Sequence, residues 1–234
     1  MLSTTEENYL KALLQLTMED GLKPEAGTNE LATHLGVKPA TANDMLKKLR
    51  EKKLIHYEKY GKSSLTTQGR KLAIDVVRKH RLWETFLYEK LGFSWDEVHE
   101  VAEQLEHIQS QKLIDSIDRL LHYPTYDPHG DVIPTASGEM KMPYRKTLLE
   151  EEVGHTCKMV GVKDNSATFL RYVDQLGLSM HNHIRILAHQ PYDNILEIEV
   201  NGKKASVGQR FAENIIIVCD DCERKPAPKK RRKN

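Results

Sequence analysis

Residues 28–66 read TNELATHLGVKPATANDMLKKLREKKLIHYEKYGKSSLT, and this stretch decides the fold. Thr28 can cap a short helix whose inner face is Leu31, Ala32 and Leu35. Gly36 follows where a helix end often needs a left-handed residue. Pro39 suits the first turn of a second helix, which buries Ala42, Met45, Leu46 and Leu49. A short helix, a glycine turn and a second amphipathic helix form a helix-turn-helix pattern. Residues 54–60 then read as a strand, residues 61–63 as a turn and residues 64–66 as a return strand, which together make a wing. The bland alternative is a three-helix structural domain.

Working outward, Ser3 with Glu6 and Thr4 with Glu7 offer two overlapping capping boxes. They open a helix carrying Tyr9, Leu10, Leu13, Leu14 and Leu16 at helical spacing, ended by Gly21, Pro24 and Gly27. Downstream, a long helix runs from Thr67 to Leu91 and stops at Gly92. Ser94 and Glu97 cap another helix through Gln109, and a further helix spans residues 113–121. Residues 123–138 are rich in Pro and Gly and read as a loop, and residues 142–152 as a return to helix. From Cys157 the texture becomes strand-like, with alternation at 184–187 and 195–200, the hairpin turn Asn201-Gly202 and a strand at 215–219. The expected fold is α+β. It comprises a winged helix-turn-helix (1–72), a helical metal-binding and dimerisation domain (73–150), a small SH3-like β-barrel (151–222) and a disordered basic tail (223–234).

Of the 234 residues, 39% are hydrophobic and 29% charged, which suits a globular chain with a core. No apolar run approaches the roughly 18–20 residues of a membrane span, and no secretory signal pattern opens the chain, so the expected location is cytoplasmic. Three cysteines do not suggest a disulfide framework. The net charge is only +1, but residues 38–71 hold ten basic side chains against three acidic ones. A basic block followed by a segment rich in Asp, Glu and His points to two tasks on one chain.

The second task is read from His80 and Glu84, four apart on one helix face, and from His99, Glu103, Glu106 and His107 at i, i+4, i+7 and i+8. Either helix alone would normally be showing water a solvated face. Two in succession, each with His and Glu at ligand spacing, point to a metal. Imidazole and carboxylate donors without thiolate suit Mn2+, Fe2+, Co2+ or Zn2+, and argue mildly for manganese or ferrous iron.

The run from Arg78 to Glu84, then Val98-His99, then residues 103–107, together with Thr5-Glu6-Glu7-Asn8-Tyr9-Leu10 and the winged helix, resembles the diphtheria toxin repressor family of metal-dependent regulators. The resemblance covers about residues 3–220. It implies a homodimer that occupies a palindromic double-stranded DNA operator when metal is bound, with no membrane and no small organic substrate. It also implies that His80, Glu84 and His99 form an ancillary site, and that Glu103, Glu106 and His107 form a primary site joined by Asn8. Glu103 stands where iron-responsive members carry Cys, which resembles the manganese-responsive branch, with Fe2+ as the alternative and Zn2+ or Co2+ as substitutes. Asn8 is a weak neutral ligand, and Lys11 stands where that branch has a further ligand. The resemblance further implies Asp127 and His129 as ligands that complete the site around Glu84, with Asp164 as an additional donor.

For DNA, the N-terminus of the recognition helix should enter the major groove, with Lys38, Pro39, Thr41 and Asn43 nearest the bases and Lys47, Lys48 and Lys62 on phosphates. The lone pair Cys219 and Cys222, the solvent-facing His181 and His183, and Glu152 with His155 are set aside. Trp83 and Trp95 are assigned to the core or a dimer interface. Two rival functions stand beside the repressor: a helical di-metal carboxylate enzyme, and a metal-independent winged-helix regulator.

Overall fold

The computed structural model describes residues 2–18, 25–58, 61–140, 146–180 and 182–219. Gly21, Pro24, His181, Cys222 and the basic tail lie outside the described residues. The chain divides into two compact units, residues 1–127 with 132–141, and residues 128–131 with 142–234. Among the described residues no helix is long and apolar enough to cross a membrane.

In the first unit, α1 (Thr4–Met18) is opened by the expected reciprocal cap: Ser3 N donates to Glu6 Oε2 at 2.8 Å and Glu6 N to Ser3 Oγ at 3.3 Å. Strand β1 (Ala26–Gly27) precedes α2 (Thr28–His34), so Gly27 rather than Thr28 is the capping residue. Gly36 takes φ +64° and turns the chain into α3 (Pro39–Glu51). Strands β2 (Ile55–Tyr57) and β3 (Lys62–Leu65) pair antiparallel, and β1 adds a third strand on the far side of β3. Lys62 and Ser63, expected in the turn, therefore belong to a strand, because both pair with β1. Helix α4 (Thr67–Leu91) follows at once. One apolar cluster joins Leu10, Leu13 and Leu14 of α1 to Leu31, Leu46, Leu49 and Ala73, so α1 is the slab on which the helix-turn-helix and the start of α4 are assembled.

Helix α5 (Val98–Leu105) is shorter than the expected run to Gln109. The chain turns after Leu105, with Ile108 N bonded to Leu105 O, and α6 (Gln111–Leu120) begins. A second cluster of Leu82, Leu87, Val98, Ala102, Ile114 and Ile117 holds α4, α5 and α6 together. Trp83 and Trp95 are both buried.

In the second unit, the helix expected over 142–152 is replaced in its described part by β4 (Lys146–Thr147) and one 3-10 turn at Leu148–Glu150. Pairing of β4 with the last strand explains this, since a strand register there satisfies backbone groups that an isolated helix end would leave open. The remaining elements are β5 (Thr156–Val162), α7 (Ala167–Gln175), β6 (His183–Gln190), β7 (Ile195–Val200), β8 (Lys203–Val207), α8 (Gln209–Asn214) and β9 (Ile215–Cys219). Asn201 and Gly202 make the β7–β8 hairpin turn, both at positive φ, as a tight turn of this type demands. The strand order is β4-β9-β5-β6-β7-β8. The expected barrel does not close among the described residues: β8 pairs only with β7 and β4 only with β9, so the sheet keeps two edges.

Candidate metal centre and nucleic-acid interface

His80 and Glu84 lie one turn apart on α4, and His99 lies in the first turn of α5. The α4–α5 packing brings their donor atoms into a nearly equilateral triangle. His80 Nε2 is 2.9 Å from Glu84 Oε1 and 3.2 Å from His99 Nδ1, and His99 Nδ1 is 3.1 Å from the same Glu84 oxygen. Edges near 3 Å are what donors bound at roughly 2.0–2.2 Å to one ion present to each other. Two imidazoles and a carboxylate, two of the three side chains buried, form a donor set that fits a borderline divalent metal.

The other ring nitrogen of His80 is held from behind. Glu106 Oε2 lies 2.5 Å from His80 Nδ1. This is the outer-sphere carboxylate that fixes a ligand imidazole's tautomer and orientation. Burial works against the His80 imidazolium, but the Glu84 charge and the hydrogen bonds to Glu106 and Glu84 outweigh it, raising the pKa to about 8. Burial likewise opposes the Glu106 carboxylate, which is nevertheless held below the ordinary range by His80 and Lys11.

The four residues expected on one face of a single helix do not share it. Glu103 is on α5, but Glu106 is its C-terminal cap and His107 lies beyond its end. His107 Nδ1 is 2.6 Å from Glu7 Oε2, and Gln109 Nε2 donates to Glu7 Oε1 at 2.8 Å. Helix α1 therefore reaches this region through Glu7 and Lys11. Asn8 is half-buried, and its side chain has no hydrogen-bond or ion-pair partner among the described residues. Lys11, 5% exposed, places its ammonium 2.7 Å from Glu106 Oε2, 3.2 Å from His80 Nδ1 and 3.7 Å from Glu103 Oε1. Among the described residues Glu103, Glu106 and His107 are not gathered into one group of ligand atoms: Lys11 sits against Glu106 Oε2, and His107 Nε2 is 3.8 Å from Glu106 Oε1. Glu7 and Gln109 escaped the sequence reading. The only signal was that Glu7 and Lys11 are four apart on an otherwise apolar face of α1.

Asp127 is buried in the first unit, 3.7 Å from Arg81 Nε. His129 belongs to the second unit, is buried, and its carbonyl accepts from Val162 N. Asp164 Oδ1 accepts from Ser166 N at the start of α7.

The nucleic-acid candidates cluster on α3 and β3. Lys38, Pro39, Thr41, Lys48 and Lys62 are exposed, and Lys47 is half-exposed with Asp44 2.9 Å from its ammonium. Pro39, Asn43, Lys47 and Lys62 line a groove of about 700 Å³ together with Thr28 and Gly61. Asn43 differs from the rest. It is buried, and its Oδ1 accepts the Tyr57 hydroxyl, which ties α3 to β2.

Comparison with known proteins places three family descriptions along the chain. They are "Iron dependent repressor, N-terminal DNA binding domain" over residues 1–62, "Iron dependent repressor, metal binding and dimerisation domain" over 66–135, and "FeoA domain" over 146–219. Iron-dependent repressor IdeR of Mycobacterium leprae is 33% identical over 130 residues, 56% of this chain and 55% of that protein, so the match spans about half the length of this curated relative. A solved manganese-dependent transcriptional repressor in complex with manganese is 34% identical, with a TM-score of 0.81 over 92% of this chain and 99% of that one. ScaR with bound Zn2+ is 34% identical, with a TM-score of 0.72 over 91% and 98%.

Proposed function

Because the chain belongs to the iron-dependent repressor family, we propose that it is a metal-activated repressor that binds a palindromic DNA operator as a homodimer and controls metal-homeostasis genes. The family is one of transcription repressors, not enzymes. The observation that carries the reading is the His80–Glu84–His99 triangle, in the same unit as a basic recognition helix. His80, Glu84 and His99 would hold the ion, which when bound would supply the positive charge that their donor atoms share. The chain's own residues do the rest. His80 lies 13 residues along α4 from Thr67, roughly 20 Å at 1.5 Å per residue, so one continuous helix links the wing to the trio. Movement of α4 against α5 at the trio is therefore also movement at the base of the wing.

On the DNA side, Lys38 and Thr41 at the start of α3 are the base-facing candidates, and Lys47, Lys48 and Lys62 bind phosphate. Asn43 braces α3 through Tyr57 instead of reading a base. Leu91, Leu113, Leu120 and Tyr123 are large apolar side chains left exposed in the first unit, and the partner surface is assigned to them. Manganese is the favoured ion, on the all-nitrogen-and-oxygen donor set of His80, Glu84 and His99. The test is retention of fragmented genomic DNA by the chelator-stripped chain with Mn2+, with Fe2+ and with chelator. A few palindromic sites should be retained with metal alone, best with Mn2+. Equal retention in chelator would overturn the metal switch, and a preference for Fe2+ would overturn the manganese assignment.

A further inference from the structure

Lys11 contributes a buried positive charge at the place where three acidic or basic donors meet. Its ammonium is within 2.7 Å of Glu106, 3.2 Å of His80 and 3.7 Å of Glu103, and the side chain is 7% exposed. A lysine ammonium has three donors and no lone pair to offer a metal; here they face the carboxylates of Glu106 and Glu103, while His80 Nδ1, which donates its own proton to Glu106, lies alongside. We propose that Lys11 is a tethered cation that takes the place of a divalent ion between Glu103, Glu106 and His80, so that Glu103, Glu106 and His107 hold no metal. The proposal rests on the repressor reading for the ion at His80, Glu84 and His99.

Three observations carry it independently of any one distance. First, a divalent ion bound to Glu106 Oε2 would lie beside the ammonium bonded to that same oxygen, so like charges would share one ligand atom. Second, the donor set is incomplete. His107 Nε2 lies 3.8 Å from Glu106 Oε1 while its Nδ1 is held by Glu7 at 2.6 Å, but among the described residues no third carboxylate or imidazole joins that pair to make a group of ligand atoms within 4.8 Å of one another. Third, Glu106 already has an outer-sphere task, since the oxygen that Lys11 holds is the one against His80 Nδ1. Lys11, Glu106, His80 and the triangle thus form one chain of contacts, in which the ammonium holds the carboxylate and the carboxylate orients the ligand ring. The same contact joins α1 to the α4–α5 pair without any ion.

The test is metal content. The full chain and three variants are stripped with chelator, dialysed against MnCl2 at saturating concentration, and analysed for manganese per chain. Relative to the wild type, His107→Asn should bind the same number of ions, His99→Asn one fewer, and Lys11→Glu one more. Loss of an ion in His107→Asn overturns the proposal while leaving the metal reading intact. So does a Lys11→Glu variant that folds and gains none. Should Lys11→Glu not fold, the His107→Asn count decides alone. A wild type that binds no manganese overturns the repressor reading and the proposal with it, as does a His99→Asn variant that keeps every ion.

Discussion

A histidine can face an ion with one ring nitrogen only if the other is held, and in this chain Glu106 does the holding for His80. Glu106→Gln would leave a neutral amide there, and manganese binding is expected to weaken by about 10–100-fold with the number of ions per chain unchanged. Titration against a competing chelator measures the first quantity and metal analysis the second. Unchanged affinity would remove the orienting role, and a lost ion would make Glu106 a ligand. At the other end of the unit, Asn43 was read as a base contact because it lies early in α3, but its side chain turns inward to Tyr57. Tyr57→Phe should cost about 1 kcal/mol, visible as a lower denaturant midpoint at unchanged slope. The structure brings His80, Glu84 and His99, named together from the family resemblance, within ligand distance of one another. The sequence could not distinguish a ligand carboxylate from an outer-sphere one, because Glu103 and Glu106 have the same chemistry and differ only in what surrounds them.

At the scale of elements, α4 is the part on which most depends. It starts against the wing: Thr66 Oγ1 accepts from Gly69 N, and a Cβ built on Gly69 would lie 1.9 Å from Leu54 O. Only a residue without a side chain lets the first turn of α4 pass so close to the strand entry. Gly69→Ala should therefore destabilise the first unit by about 1–3 kcal/mol through overpacking, and it should shift the wing relative to α3. Thermal melting checks the first effect, and loss of operator affinity at saturating metal checks the second. Helices α1 to α4 were legible because apolar spacing, Pro39 and Gly92 are local marks. Helix α5 was overextended because nothing in residues 106–109 breaks a helix. The chain leaves it there because α6 must begin at Gln111 to bury Ile114 and Ile117 against α4 and α5. Helices α7 and α8 were not foreseen; they are 9 and 6 residues long, near the limit at which periodicity carries a signal.

For the whole molecule, acid should unfold the chain through carboxylates that the fold holds ionised. Burial opposes the Glu6 charge, but Lys52 at 2.6 Å outweighs it. The Thr147 backbone N–H lowers Glu150, and His155 and Lys146 lower Glu151 against its burial. Each has a folded pKa below the ordinary glutamate value of 4.5. Their stabilisation is therefore full above 4.5 and is lost as pH falls through the lowered values. The melting temperature in chelator should drop below about pH 4.5, and Glu151→Gln should flatten that drop. An unflattened curve would show that Glu151 contributes nothing there. By itself the sequence determined the winged helix, the long α4 and the hairpin at Asn201-Gly202. Those features follow from capping, turn chemistry and spacing along a few residues of chain. Only the tertiary structure decided that the C-terminal sheet stays open, that His107 answers to Glu7, and that Lys11 occupies the space beside Glu106. Lys11 meets His80 and Glu106 across 69 and 95 positions of sequence. The packing of α1 on α4 and α5 sets that meeting, and no local pattern encodes it.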